Sequence, residues 1–343
     1  MRLARKYPFH FHFALLALSL AASIAFGAVD IPIGASLKLL ASRLPAVPAV
    51  LDLPAYYEAI LFDIRLPHTA LVFLTGAALA GSGAAYQGLF RNPLADPYLI
   101  GVASGAGLGA VVVMAFRWPT ETSDFFTIPA AAFIGGLATV TLVYVLAQTG
   151  RTTPVTSLIL AGVAVSSFAT ALTSYLMLRS QGELRRVIAW LLGGSTLSGW
   201  QPVIAAAPYI LVGLLALLAL GHALNLLQFG EEQAQQLGLP VGRIKLLLIL
   251  FASLAAAAAV AFSGIIGFVG MIVPHAIRYL WGPDYRRLIP LSILGGASVL
   301  LLADILARRL LAPEVLPIGV ITALVGAPFF LWVLRRVKGQ RFW

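Results

Sequence analysis

This chain of 343 residues contains no cysteine and very little charge. The first absence excludes a disulfide framework, a thiolate metal site and a cysteine nucleophile. The second excludes a large water-facing surface: 10% of the residues are Asp, Glu, Lys or Arg, against about 25% in a soluble domain. Histidine is also sparse. His10, His12, His68, His222 and His275 show no H-E-x-x-H or other ligand spacing, so no metal site is predicted. There is no G-x-x-x-x-G-K-[ST] phosphate loop and no Gly-Lys dipeptide. If ATP drives this protein, another chain binds it.

Apolar residues are what the chain has in abundance, 60% of the total. About 20 of them span a bilayer. Ten candidate spans follow, near 11–28, 66–86, 99–117, 128–148, 155–178, 202–224, 244–262, 265–281, 288–307 and 316–334. The expectation is an all-α polytopic membrane protein, one domain over 1–343. The first span follows Arg2, Arg5 and Lys6 like a signal peptide, and is expected to be retained. Pro129, Pro154, Pro202, Pro290 and Pro317 mark later boundaries.

The basic residues suggest an orientation. With the N-terminus in the cytoplasm and ten crossings, the inner side carries fourteen basic residues against the acids Asp96, Glu231, Glu232 and Asp284. The outer side carries nine of each sign. Both termini are then cytoplasmic, and the whole excess of +10 faces anionic lipid rather than nucleic acid. The longest polar excursions lie at about 29–60, outside, and 225–243, inside.

Residues 65–110 are the most informative stretch. Two helices rich in small residues, suited to close packing in lipid, flank the turn Arg91-Asn92-Pro93-Leu94-Ala95-Asp96-Pro97. Two prolines within five residues end the first helix and pre-set the turn. Ionisable residues inside a span are functional candidates by default, and here they are only His222, His275 and Asp304, each near a span end. A secondary transporter coupled to an ion gradient, the main alternative, is expected to place a carboxylate at mid-bilayer. The Gly101–Gly105 segment, G-V-A-S-G, allows an intramembrane serine protease with Ser104 as nucleophile and His275 as base. Small-residue helix packing accounts for the same letters.

Residues 225–243 read N-L-L-Q-F-G-E-E-Q-A-Q-Q-L-G-L-P-V-G-R. Glu231 and Glu232 suit a helix N-terminus, and Gly238 followed by Pro240 suits its end. A two-turn helix is expected, with Ala234 and Leu237 on one side. It is either a connector or a landing place for a partner.

Five motifs in order, R-L-P-H-T, Q-G-L-F-R-N-P-L-A-D-P-Y-L-I-G-V-A-S-G-A, G-E-E-Q-A-Q-Q-L-G, G-I-I-G-F-V-G-M-I-V-P-H-A-I-R and L-P-I-G-V-I-T-A-L-V-G-A-P-F-F, resemble the permeases of FecCD-type, binding-protein-dependent ABC importers. These carry iron–siderophore complexes, haem or cobalamin. The resemblance implies a type II importer permease in a bacterial or archaeal cytoplasmic membrane. It implies a second permease copy, two ATPase subunits holding ATP-Mg, and an extracytoplasmic substrate-binding protein. No cofactor is expected on this chain. It also implies roles: ATPase coupling for Glu231, Glu232, Ala234, Leu237 and Gly238, and an inner gate at Val155 and Thr156. The fifth helix would line the path, with Ser166, Thr170, Thr173 and Met177 at i, i+4, i+7 and i+11. Arg65, His68 and Arg308 would dock acidic groups of the binding protein, His68 standing where many relatives have arginine. Iron–siderophore ranks first among the cargoes, with cobalamin and haem next.

Overall fold

The computed structural model describes residues 6–27, 29, 31–43, 53–116, 124–150, 152–179, 183–194, 197–312 and 314–337. Arg2, Arg5, Arg117, Arg151, Lys338 and Arg341 of the basic residues counted above, and Pro45 and Pro48 of the 29–60 excursion, lie outside them. The described chain is helical apart from two isolated bridges, Thr149–Thr152 and Leu311–Glu314. In order, its helices are α1 (Pro8–Ala25), α2 (Ile33–Ser42), α3 (Ala55–Ala59), α4 (Leu66–Leu89), α5 (Val102–Phe116), α6 (Asp124–Ala147), α7 (Val155–Arg179) and α8 (Leu184–Leu191). They continue with α9 (Gln201–Ala219), α10 (Gly221–Leu227), α11 (Glu231–Gln236), α12 (Val241–Ser263), α13 (Val269–Trp281), α14 (Tyr285–Arg309) and α15 (Ile318–Val337).

A helix stands at each of the ten predicted spans, and seven helices are long and apolar enough to cross a membrane. The shorter ones at predicted spans are α5, α13 and α15. The excursion at about 29–60 is more ordered than its polarity suggested, since it contains α2 and α3. Two proline boundaries are corrected. Pro129 and Pro290 lie inside α6 and α14, one turn in, because the helices begin at Asp124 and at the Asp284 cap. A proline near a helix start sacrifices few intrahelical bonds, and neighbouring helices can satisfy the freed group.

Three helices form the centre. The apolar windows of the α4 helix, α12 and α14 are 83%, 72% and 67% buried, while those of α7, α1 and α6 are 17%, 22% and 28% buried. Small residues explain the difference, because association in lipid depends on close backbone approach rather than on excluding water. Ala255, Ala256, Ala257, Ala258 and Ala259 of α12 are wholly buried. Where α4 crosses α14, Gly76 and Gly296 touch backbone to backbone, and a Cβ on either would strike the other's carbonyl. Sparse polar ties supplement this packing: Ser82 donates to the Ala252 carbonyl at 2.9 Å, and the Tyr86 hydroxyl meets Ser253 Oγ at 2.6 Å.

Two irregularities shape the ends. Residues Ile60–Arg65 form a π turn that joins α3 to α4. Pro67 cannot donate to the carbonyl four residues back and its ring crowds it, so the wider turn relieves the conflict and swings Arg65 inward. The second irregularity separates α12 from α13. α13 has 13 residues and rises about 20 Å, roughly two thirds of a hydrocarbon core. Before it the backbone is not helical. Phe268 adopts φ 70°, and the Val269 N–H reaches back to the Gly267 carbonyl at 2.9 Å. Such a γ-turn is strained for a residue with a Cβ. The break is held by its surroundings: Tyr98 donates to the Ile266 carbonyl at 2.8 Å, and Phe268 packs against Gly326 of α15. Beside it, α13, α14 and α15 enclose an apolar groove of about 250 Å³ that includes Phe268, Val299, Leu302 and Val325.

Candidate functional site

The functional candidates sit in three places: the Leu89 end of the bundle, the outer face of α7, and the Arg65 end.

At the Leu89 end, α11 has a well-formed C-terminus. Gly238, at φ 85°, donates to the Gln235 carbonyl at 2.9 Å, and the Leu239 N–H reaches the Ala234 carbonyl at 3.0 Å. This double bond pattern is the Schellman stop that the Gly238 position predicted. One expectation is corrected. Ala234 is fully buried, whereas Leu237 is 63% exposed, because the helix ends at Gln236 and Leu237 turns away as its cap. Glu232, Gln233, Gln235 and Gln236 are also exposed. Phe229, which sequence reasoning passed over, is 65% exposed just before the helix. The other acid, Glu231, turns inward to Lys245, a residue likewise missed from the sequence. The Lys245 ammonium lies 2.8 and 3.0 Å from the two carboxylate oxygens and also donates to the Thr153 carbonyl. Val155 and Thr156 follow at the start of α7, half-buried and exposed respectively.

The same end contains the proline turn. Asn92 Oδ1 accepts from the Leu94 N–H, and Asp96 Oδ1 caps the 3-10 turn Pro97–Ile100 by accepting from the Tyr98 N–H, both at 2.9 Å. Burial pushes the Asp96 carboxyl up to about 6, against the pull of that N–H. The folded protein therefore holds a proton that the unfolded chain has lost between about pH 4 and 6. Asp96 thus favours folding less as pH rises through that window. Asp96→Asn keeps an amide oxygen for the cap but does not titrate. Melting in detergent at stepped pH should show the wild-type midpoint falling relative to the variant between pH 4 and 6. Parallel profiles would refute this assignment. Asp284, which caps α14 and accepts from Asn225 at 2.6 Å, is held below the usual carboxylate range, chiefly by that Asn225 bond.

Along α7 the predicted polar line is shifted. Ser166 and Met177 are half-buried and Thr170 is exposed, but Thr173 is 7% exposed and bonds the Ala169 carbonyl at 2.8 Å. The buried stripe of α7, Leu158, Gly162, Ala169, Thr173 and Leu176, runs through that position at helical spacing. Ser167, Thr170 and Ser174 are exposed along the middle of the helix. Ser167 and Ser174 bond the carbonyls four residues back, at 2.8 and 3.0 Å. These hydroxyls are already occupied, so the face between them and Leu160, Val163 and Phe168 is only weakly polar.

At the Arg65 end, the three predicted docking residues belong to one buried network. The Arg65 guanidinium donates to the carbonyls of Ile24, Ala25 and Val29 at 2.8, 3.2 and 2.6 Å. That of Arg308 donates to the Phe26 carbonyl at 3.0 Å and to Ser23 Oγ at 3.1 Å, and pairs with Asp304 at 2.6 Å. His68 Nε2 donates to the other Asp304 oxygen at 2.8 Å. Arg65 and Arg308 are 4% and 8% exposed. Both therefore neutralise the carbonyl end of α1, where cations suit the dipole, and neither is a free surface charge. Sequence reasoning placed all three residues on one rim but missed Asp304 as the partner that His68 and Arg308 share. Ser104 and His275 form no pair: Ser104 donates to Gly101, and His275 bonds Pro93. Among the described residues no group of three His, Asp or Glu could hold a metal ion.

Known proteins resemble this chain over most of its length. Residues 15–336 match the FecCD transport family. The cobalamin import system permease protein BtuC of Halobacterium salinarum is 42% identical over 335 residues, 93% of this chain and 89% of that protein. The hemin transport system permease protein HmuU of Yersinia pestis is 43% identical over 282 residues, 81% and 84% of the two chains. A solved structure described as an inward-facing conformation of a metal-chelate type ABC transporter superposes with a TM-score of 0.81 at 30% identity, covering 95% of this chain and 98% of that one.

Proposed function

The chain belongs to the FecCD transport family, and on that premise we propose that it is the permease through which an ABC importer moves a metal chelate across the cytoplasmic membrane by alternating access. The observation that carries this reading is α11. It is a capped helix at one end of an apolar bundle, and it presents Glu232, Leu237 and Phe229 outward on a chain with no nucleotide loop of its own. Exposed aromatic and aliphatic anchors ringed by polar groups suit a protein partner. The partner is an ATPase subunit, one per permease copy in a homodimer. Its seat includes Glu231, Glu232, Ala234, Leu237 and Gly238, with Ala234 as the buried base.

The remaining roles follow from this. Ten spans with both termini inside put α11 in the cytoplasm and the Arg65 end outside. Val155 and Thr156 form the inner gate. The path runs along α7 past Ser166, Thr170 and Met177, with Thr173 behind them. A weakly polar lining lets a large chelate pass without holding it. A binding protein meets the rim that contains Arg65, His68 and Arg308, and its carboxylates must take these groups over from the α1 carbonyls and Asp304. Iron–siderophore is the first choice of cargo, with cobalamin and haem as the alternatives that the relatives' names support.

Reconstitution with the ATPase and binding protein in liposomes tests the whole reading. Uptake of a ferric siderophore, cobalamin or haemin should require both ATP and the binding protein. Uptake driven by an ion gradient with no ATPase would overturn it.

A further inference from the structure

We propose that Lys245 transmits movement of α11 to the inner gate, a positioning role that rests on the importer reading above. Its ammonium has three N–H donors and no acceptor. Glu231 Oε1 and Oε2 take two of them, and the Thr153 carbonyl takes the third. The side chain is 4% exposed. A charge buried beside an apolar bundle is retained only when it is fully paired, and here the two partners lie on different moving parts. Glu231 opens the helix that seats the ATPase. Thr153 stands two residues before Val155, where α7 begins.

The described residues on the gate side are tied by backbone bonds. Thr149 and Thr152 exchange backbone bonds at 2.9 and 3.2 Å, and Pro154 receives the first bond of α7 from Leu158 at 3.1 Å. A pull on the Thr153 carbonyl therefore reaches Val155 and Thr156 with little slack. Among the described residues, no other hydrogen bond or ion pair connects α11 to the segment ahead of α7. The covalent route from α11 leads instead through Leu237–Pro240 into α12, which lies in the buried centre. One ammonium thus bridges the part an ATPase would move and the part that would open.

A merely structural lysine would clamp α11 to α12 through Glu231 alone, and a charge swap separates the two cases. Lys245→Glu combined with Glu231→Lys restores the ion pair but leaves the Thr153 carbonyl facing a carboxylate, which cannot donate to it. The assay is uptake per ATP hydrolysed in the complete reconstituted complex, with the ATPase retained on purification and the melting midpoint as controls. Lys245→Met should keep hydrolysis within about twofold of wild type and lower uptake per ATP about tenfold or more. Glu231→Gln should lower it in the same direction by a smaller factor. The swapped pair should recover part of the melting midpoint lost in Lys245→Met and leave uptake uncoupled. If Lys245→Met fails to assemble, Glu231→Gln and the swap decide the matter. Normal uptake per ATP in the swap or in Lys245→Met, with wild type active, would overturn the relay and leave the importer reading intact. A wild-type complex that needs no ATP would overturn both.

Discussion

Asp304→Ala should destabilise the protein by about 3–5 kcal/mol, the usual consequence of stripping one partner from a buried ion pair. Asp304 is 1% exposed and receives Arg308 at 2.6 Å and His68 at 2.8 Å. Its removal leaves the Arg308 guanidinium, 8% exposed, with no described carboxylate beside it and little contact with water. The natural control is the pair of Arg43 and Glu58, similarly close at 2.7 Å but with side chains 62% and 55% exposed. Glu58→Ala should cost less than about 1 kcal/mol, since water screens that contact. Unfolding in mixed micelles at graded SDS measures both. Replacing both Asp304 and Arg308 by apolar residues should recover only part of the loss, because the Phe26 carbonyl and Ser23 hydroxyl would still lack their donor. Equal midpoints for Asp304→Ala and Glu58→Ala would show that the buried network contributes nothing.

Gly83→Val should be more damaging still, leaving little correctly folded protein in the membrane. A Cβ at Gly83 would overlap the Gly270 carbonyl, and backbone presses back on backbone there. Overpacking a core against mobile side chains costs about 1–3 kcal/mol. Here the obstacle is a peptide at the start of α13, beside the strained Phe268 turn, and it cannot rotate aside. The comparison is Gly242→Ala in the first turn of α12, where nothing lies within 4 Å of the new methyl. That change should be neutral or gain about 0.5–1 kcal/mol from reduced backbone freedom in the unfolded chain. The yield of monodisperse protein in detergent separates the two. A well-behaved Gly83→Val would mean that α4 and α13 pass less closely than described.

Much of this architecture could be read from the letters, and what could not has identifiable causes. Helix positions were legible because apolar runs of bilayer length and the turns between them are local features. The stop at Gly238 was legible for the same reason, since a Schellman end is written in three or four residues. Thr173 was misplaced because i, i+4, i+7 spacing identifies a face without saying which face is buried; the neighbours at Leu158, Ala169 and Leu176 decide that. Leu237 was misplaced by a helix one residue shorter than its apolar period suggested. Pro129 and Pro290 were read as boundaries although a membrane helix can absorb a proline in its second turn. Lys245 was counted as one more positive charge. The signal was present: a lone lysine five residues into the alanine-rich run that became α12 needs a partner, and Glu231 stands fourteen residues earlier. Phe268 had no comparable mark beyond the glycines at 264, 267 and 270, which fit a close helix contact equally well.

The two arginines that close the end of α1 also set a timetable for making the protein. α1 is made ahead of the other described helices, with its last carbonyls unanswered. Arg65 follows 36–41 residues behind the carbonyls it will cap, but Arg308 trails Phe26 by 282 residues. Through almost the whole of synthesis the leading helix is in the bilayer with its outgoing strand half-secured. The end of α1 is fully tied only once α14 has been inserted. A nascent chain stalled before α14 would present a full set of early helices and an untied amino-terminal one, and that is the form a membrane protease could recognise and clear.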